Sequence, residues 1–129
     1  MYYNIIIFII QGKKYKFHLV PSGILNKDVT CVVGNGLVVH LRGLLTELKQ
    51  LREAGVDYSG RLLLSDRAHI VFDFHQQIDG LNEKRLADNK LGTTHKGIGP
   101  SYGSKTMRNG LRVTMINIYF LYFIMLFVI

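Results

Sequence analysis

A chain of 129 residues with Lys+Arg 16 against Asp+Glu 9 carries a formal charge of +7, and its length allows one domain with an ordinary core. That charge suits an anionic partner such as a nucleotide and says nothing about fold. The single cysteine, Cys31, excludes an intramolecular disulfide and fits a reducing, cytoplasmic setting; inside the apolar run VTCVVGNGLVV it reads as a buried thiol rather than a nucleophile.

The chain opens on MYYNIIIFII and closes on MINIYFLYFIMLFVI, both without a charged side chain. A signal peptide would want a basic start and a small-residue cleavage site, and neither is present. A membrane anchor would want about 18 apolar residues. The C-terminal run reaches that only by taking in Val113 and Thr114 and tolerating Asn117, with Arg108 and Arg112 as its upstream flank. Ordinary core strands are a further reading. The preferred one divides the chain into a domain over residues 11–113 and two apolar tails outside it, 1–10 and 114–129. The tail alphabet of Ile, Phe, Tyr, Leu, Asn and Met is what AT-rich codons encode.

Within 11–113, KKYKFHLV alternates loosely and predicts a strand ending before the turn or helix start at Pro21-Ser22-Gly23. The β-branched run Val29–Val33 predicts a buried strand, broken by Gly34-Asn35-Gly36. Leu37, Leu41, Leu44, Leu48 and Leu51 then recur at spacings of four and three, which predicts a helix near Leu41–Glu53 with Gly55 as its C-terminal cap. Arg61–Ser65 reads as another strand. Ser65 or Asp66 is placed to cap a second helix near Ala68–Lys84, with Val71, Phe74, Ile78 and Leu81 as its apolar stripe, turning polar from Asn82 to Lys90. His69 and His75 fall on different faces of that helix, which argues against a metal pair. Strand, helix, strand, helix is an α/β order.

From Gly92 to Val113 the chain reads GTTHKGIGPSYGSKTMRNGLRV, dense in glycine and in positive charge. Gly92 and Gly97 are spaced as in a phosphate-binding P-loop, yet Ile98-Gly99 stand where that motif requires Lys-Ser/Thr, so it is not a Walker A sequence. Glycines let backbone N–H groups converge on an anion. Thr93 and Thr94 add hydroxyls; Lys96, Lys105 and Arg108 add charge, and an arginine can grip a phosphate through two bonds. From the residues alone an anion-binding loop and a flexible surface loop both stand.

Gly97, Ile98, Gly99, Pro100, Tyr102, Lys105 and Arg108 fit the pattern Gly-Ile-Gly-Pro-x-Tyr-x-x-Lys-x-x-Arg at every fixed position. In this the chain resembles the adenylosuccinate synthetases, and KKYKFHLVPSGIL, VTCVVGNGLVVHLRGLLTEL and RLLLSDRAHIVFDFHQQIDG resemble successive upstream blocks of that family. Arg42 departs from it, where proline is usual. The resemblance implies part of a P-loop-NTPase-like α/β fold and a GTP-dependent carbon–nitrogen ligase. That enzyme joins IMP to aspartate with magnesium assistance, as a homodimer, on the way to AMP. It implies that Thr94 contacts the IMP phosphate, that Arg108 reaches across the dimer to IMP, and that Lys105 is the signature lysine near the active site.

The family's opening Gly-Asp-Glu-Gly-Lys-Gly loop, with its base and metal ligand, has no counterpart here. Its Asn-Ala-Gly-His-Thr acid is also missing, and none of His18, His40, His69, His75 and His95 stands in that context. Family ligands for metal are therefore absent, and the expectation is an internal fragment without turnover of its own. A non-catalytic nucleotide-binding module, or one held at a membrane by its tail, is the alternative; neither a nucleic-acid partner nor a membrane is expected in the main reading.

Overall fold

A computed structural model of the chain describes residues 6–10, 13–86 and 92–116. β1 (Ile6–Ile10) and β2 (Lys13–Phe17) form an antiparallel pair, from Ile6 opposite Phe17 to Ile10 opposite Lys13. A short 3-10 helix, Ser22–Leu25, follows Pro21 and buries Ile24 completely.

The rest is two strand–turn–strand–helix units laid side by side. The first is β3 (Cys31–Val33), β4 (Val38–Val39) and α1 (Leu41–Glu53); the second is β5 (Leu62–Leu64), β6 (His69–Ile70) and α2 (Asp73–Arg85). β3 pairs with β5 and β4 with β6, both parallel, Cys31 opposite Leu62 and Val38 opposite His69, at the same sequence offset in both ladders. Parallel pairing needs a crossover, and α1 supplies it. α3 (Ile98–Thr106) then packs on α2, and a last 3-10 turn, Val113–Met115, returns Val113 to the core.

α1 occupies the span that its leucine spacing predicts. Leu44 and Leu51 are buried, and Leu41 and Leu48 pack against the core they join, with Phe17, Val20, Ile24, Cys31, Val39 and Ile70. His40 caps its start by accepting the Gly43 N–H on Nδ1 at 3.2 Å. At its end the Val56 N–H bonds to Leu51 O and the Gly55 N–H to Arg52 O, with Gly55 at φ 80°, the paired bonds of a Schellman motif. Leu37 is not part of this helix. It sits in the turn before β4, half exposed, with its N–H on Gly34 O; its spacing to Leu41 is a coincidence of the short β4 strand that lies between them.

The second helix begins at Asp73, later than the sequence suggests, because His69–Ile70 is taken up by β6. Ser65 and Asp66 cap nothing there: Ser65 Oγ accepts the N–H of Arg67, and Asp66 O accepts that of Thr114. His69 is therefore on a strand and His75 on a helix. Val71 is buried, but Phe74, Ile78 and Leu81 are 51%, 41% and 58% exposed, whereas His75, Asp79 and Glu83 are 3%, 9% and 5% exposed. The helix is amphipathic in the reverse sense. Its inward face meets a glycine-rich backbone whose N–H groups need acceptors, and carboxylates serve that need where leucines would not.

Two other charged side chains also serve the backbone. The Glu47 carboxylate, 8% exposed, accepts the N–H groups of His18, Leu19 and Val20 at 2.9–3.1 Å, which fastens the end of β2 to α1. The Arg61 guanidinium donates to the carbonyls of Ile24, Asn26, Val29 and Asp57. Arg42 faces Asp73 at 3.6 Å as an exposed pair of little energetic weight. Cys31 is free and buried. Residues 1–5, 11–12, 87–91 and 117–129 lie outside the described residues, and with them most of the two apolar runs and the polar stretch after α2. Among the described residues no helix is long and apolar enough to cross a membrane.

Candidate functional site

The glycine-rich segment is held at two points by α2. The Gly92 N–H donates to Glu83 Oε1 at 2.5 Å, and the Gly97 N–H to Asp79 Oδ2 at 3.0 Å. Gly97 has φ 73° and lies so close to α2 that a Cβ there would stand 2.7 Å from both Gln76 N and His75 C. A left-handed backbone and a backbone-to-backbone approach each require glycine. Between the two holding points, Thr94, His95 and Lys96 are exposed, and His95 is itself left-handed at φ 53°. The side chains of Thr94 and Lys96 bond to no described residue, so a hydroxyl and an ammonium are presented outward.

α3 starts at Ile98, directly after Gly97, and a groove of ≈ 530 Å³ separates it from α2. Phe74, Ile78 and Met107 give that groove apolar walls. The Thr93 hydroxyl, which also lines it, is buried without a hydrogen-bond partner. His75 closes its floor: Nδ1 accepts the Phe72 N–H at 3.0 Å, which leaves the proton on Nε2, directed to Ser104 Oγ at 3.4 Å. Burial holds the His75 pKa below its usual value. His69 is lowered as well, by burial first and then by the positive charges of Lys105 and Arg112.

Lys105 lies on α3, half-buried, with its ammonium directed to the Gly34–Gly36 turn. Nζ donates to Asn35 O at 2.9 Å and to Gly36 O at 2.7 Å, and the Tyr102 hydroxyl donates to Gly36 O at 3.3 Å. The side chain thus ties the turn after β3 to α3 and does not face residues 93–96. Arg108 follows α3 with φ 60°. Its N–H bonds to Lys105 O and the Asn109 N–H to Ser104 O, the same paired bonds that end α1 at Gly55. An arginine in that position costs about 1–2 kcal/mol that a glycine would not. Its guanidinium is exposed and bonds to no described residue.

Thr94 precedes α3 and Arg108 follows it. Nine helical residues separate them, about 13 Å at the usual rise per residue, so the two side chains start from opposite ends of the helix.

The family model for adenylosuccinate synthetase matches residues 5–119. The chain is 63% identical over 105 residues to the adenylosuccinate synthetase of Phaeodactylum tricornutum, a match covering 81% of this chain and 20% of that protein. It is 61% identical over 103 residues to the chloroplastic adenylosuccinate synthetase of Arabidopsis thaliana, covering 80% of this chain and 21% of that one. The solved structure of the fully ligated adenylosuccinate synthetase from Plasmodium falciparum superimposes with a TM-score of 0.72 at 41% identity, over 83% of this chain and 25% of that one.

The chain belongs to the adenylosuccinate synthetase family. It spans about a fifth of the length of the curated relatives it matches. Its α/β architecture is that of the family fold over this segment.

The signature residues fall into two groups. Gly97 and Lys105 build the site's frame, whereas Thr94 and Arg108 face outward at opposite ends of α3. His40 stands apart from them: its Nε2 donates to Asp73 Oδ1 at 3.0 Å, joining the starts of α1 and α2. Among the described residues there is no group of three or more His, Cys, Asp or Glu that could hold a metal ion. Sequence reading missed the inward row of His75, Asp79 and Glu83. Its signal was present, three polar residues at successive fourth positions, beside a glycine loop with amides to satisfy.

Proposed function

We propose that this chain is a segment of an adenylosuccinate synthetase, the part that presents Thr94 and Arg108 to IMP. The complete enzyme would join IMP to aspartate as GTP phosphorylates the 6-oxygen of IMP and the aspartate amine displaces that phosphate, giving adenylosuccinate, GDP and phosphate. In this reading Thr94 donates its hydroxyl to the IMP phosphate. Arg108 supplies a planar, charged fork to IMP held by the other subunit of a homodimer. Lys105 keeps the Gly34–Gly36 turn against α3, close to the nucleotide. GTP, aspartate and magnesium would be taken by parts of the enzyme that this chain does not carry, and the chain by itself would have no turnover.

The observation that carries this reading is Arg108. Its left-handed backbone is retained at a helix end where glycine is the unstrained choice, and its guanidinium is left free. Titration of the chain with IMP, followed by calorimetry, tests it. Saturable binding is expected, weakened about tenfold or more by Thr94→Ala or Arg108→Ala, the worth of one hydrogen bond to a charged group. A folded chain that binds no IMP would overturn the assignment. Conversion of IMP, aspartate and GTP to adenylosuccinate by the chain alone would overturn the claim that it lacks turnover.

A further inference from the structure

α3 has no acidic residue in its first turn, and Gly97 at its N-cap has no side chain to offer. The first N–H groups of a helix want an acceptor, and a negative charge there is favoured. The acceptor at Gly97 comes from another helix: Asp79 of α2, one turn beyond His75, places Oδ2 3.0 Å from the Gly97 nitrogen. Glu83, one turn further along, takes the Gly92 N–H in the same way. Both carboxylates are at least nine-tenths buried. Residues 93–96 hang between these two bonds, and the close contact of Gly97 with the α2 backbone fixes the height at which they do so.

We propose that Asp79 and Glu83 are positioning residues for nucleotide recognition, clamping the two ends of the 93–96 segment so that the Thr94 hydroxyl and the Lys96 ammonium are held ready for a phosphate. Neither carboxylate touches the ligand; as anions they would repel it. Their effect is transmitted through the glycine backbone. The arrangement also settles which groups the phosphate meets. The Gly97 amide is already bonded to Asp79, so the anion is received by the outward side chains and not by that N–H group. This inference rests on the reading of the loop as the IMP phosphate site.

The test combines amide hydrogen exchange with IMP titration on the full chain. In Asp79→Ala, exchange at Gly97 should rise about tenfold or more, as expected for loss of a hydrogen bond to a charged acceptor. Leu44 and Leu51 in α1 should keep their wild-type exchange, and IMP binding should weaken about tenfold. Asp79→Asn retains an acceptor oxygen but not its charge, so it should recover only part of both. A rise at Gly97 that is matched in α1 would mean general destabilisation and overturn the proposal. So would unchanged IMP affinity beside a freely exchanging Gly97. If Asp79→Ala does not fold, the near-isosteric Asp79→Asn and Glu83→Gln carry the test, with severalfold faster exchange expected at Gly97 and Gly92 respectively; no change in either overturns it. If the wild-type chain binds no IMP, the functional reading falls, and the exchange pattern still decides whether the carboxylates clamp the loop.

Discussion

Arg108 occupies at the end of α3 the position that Gly55 occupies at the end of α1. Both are left-handed, at φ 60° and φ 80°, and both close their helix with the same pair of backbone bonds. Glycine adopts this conformation without a Cβ clash and arginine does not. Arg108→Gly should therefore stabilise the chain by roughly 0.5–1 kcal/mol, the relieved strain less the entropy that a glycine adds to the unfolded state. The same substitution should weaken IMP binding. Denaturant unfolding and calorimetry read the two effects separately, and a variant that is both less stable and unchanged in binding would contradict the assignment.

Gly97 is the least replaceable residue of the loop. Gly97→Ala must fit a methyl group 2.7 Å from backbone atoms of α2 while keeping φ at 73°. Backbone cannot swing aside as a side chain can, so the loop would have to leave the helix and give up the bond to Asp79. A loss of about 2–4 kcal/mol is expected. Gly99, inside α3, whose added Cβ would meet nothing within 4 Å, is the control: Gly99→Ala should be neutral or stabilise by up to about 1 kcal/mol.

His75 gives the fold a dependence on pH. Its folded-state pKa is lowered by burial, while the unfolded chain titrates near 6.5. Below that pH the unfolded state takes up a proton that the folded state resists, so stability falls as pH drops from about 6.5 through the lowered folded-state value, and the effect disappears above 6.5. Protonation of Nδ1 would in addition break the bond from the Phe72 N–H. His69 contributes with the same sign. In His75→Asn, which can still accept at that position, the slope of unfolding free energy against pH between 5 and 6.5 should be shallower. An unchanged slope would mean that His75 binds its proton equally well in the folded and unfolded chain.

α1 was legible because its leucines from Leu41 to Leu51 and its stop at Gly55 point to one helix, whereas its cap at His40 was seen only in the structure. The signature from Gly97 to Arg108 was legible for a different reason, as a fixed order of residue types. α2 was half legible. Its existence followed from periodicity, but its orientation did not, since Phe74, Ile78 and Leu81 are the apolar stripe that ordinarily points inward. The orientation is decided by its partner, a glycine loop rich in backbone donors. The short strands β4 and β6 gave no periodic signal at all, because two residues are too few to alternate. Lys105 shows the remaining gap. Its place in the signature was readable, but its bonds to Asn35 and Gly36 depend on tertiary contacts across a long sequence separation.

Those bonds make Lys105 testable as a structural residue, apart from any role beside the nucleotide. Its ammonium donates to two carbonyls of one turn and lies 5.6 Å from the centre of the Tyr102 ring, half-buried between them. Lys105→Met keeps the stem and removes the donor, leaving both carbonyls to partial hydration. Hydrogen bonds to a charged group contribute about 1.5–3 kcal/mol, less where solvent reaches them, so a loss of about 1 kcal/mol is expected. The loss should be local: the Leu37 amide, which closes the same turn on Gly34, should exchange faster, while amides of α1 should not. Lys105→Arg keeps the charge but carries a planar fork in place of a compact ammonium, and should recover only part of the stability. If Lys105→Met leaves both stability and Leu37 exchange unchanged while IMP binding falls, the ammonium acts on the nucleotide and the turn is held without it.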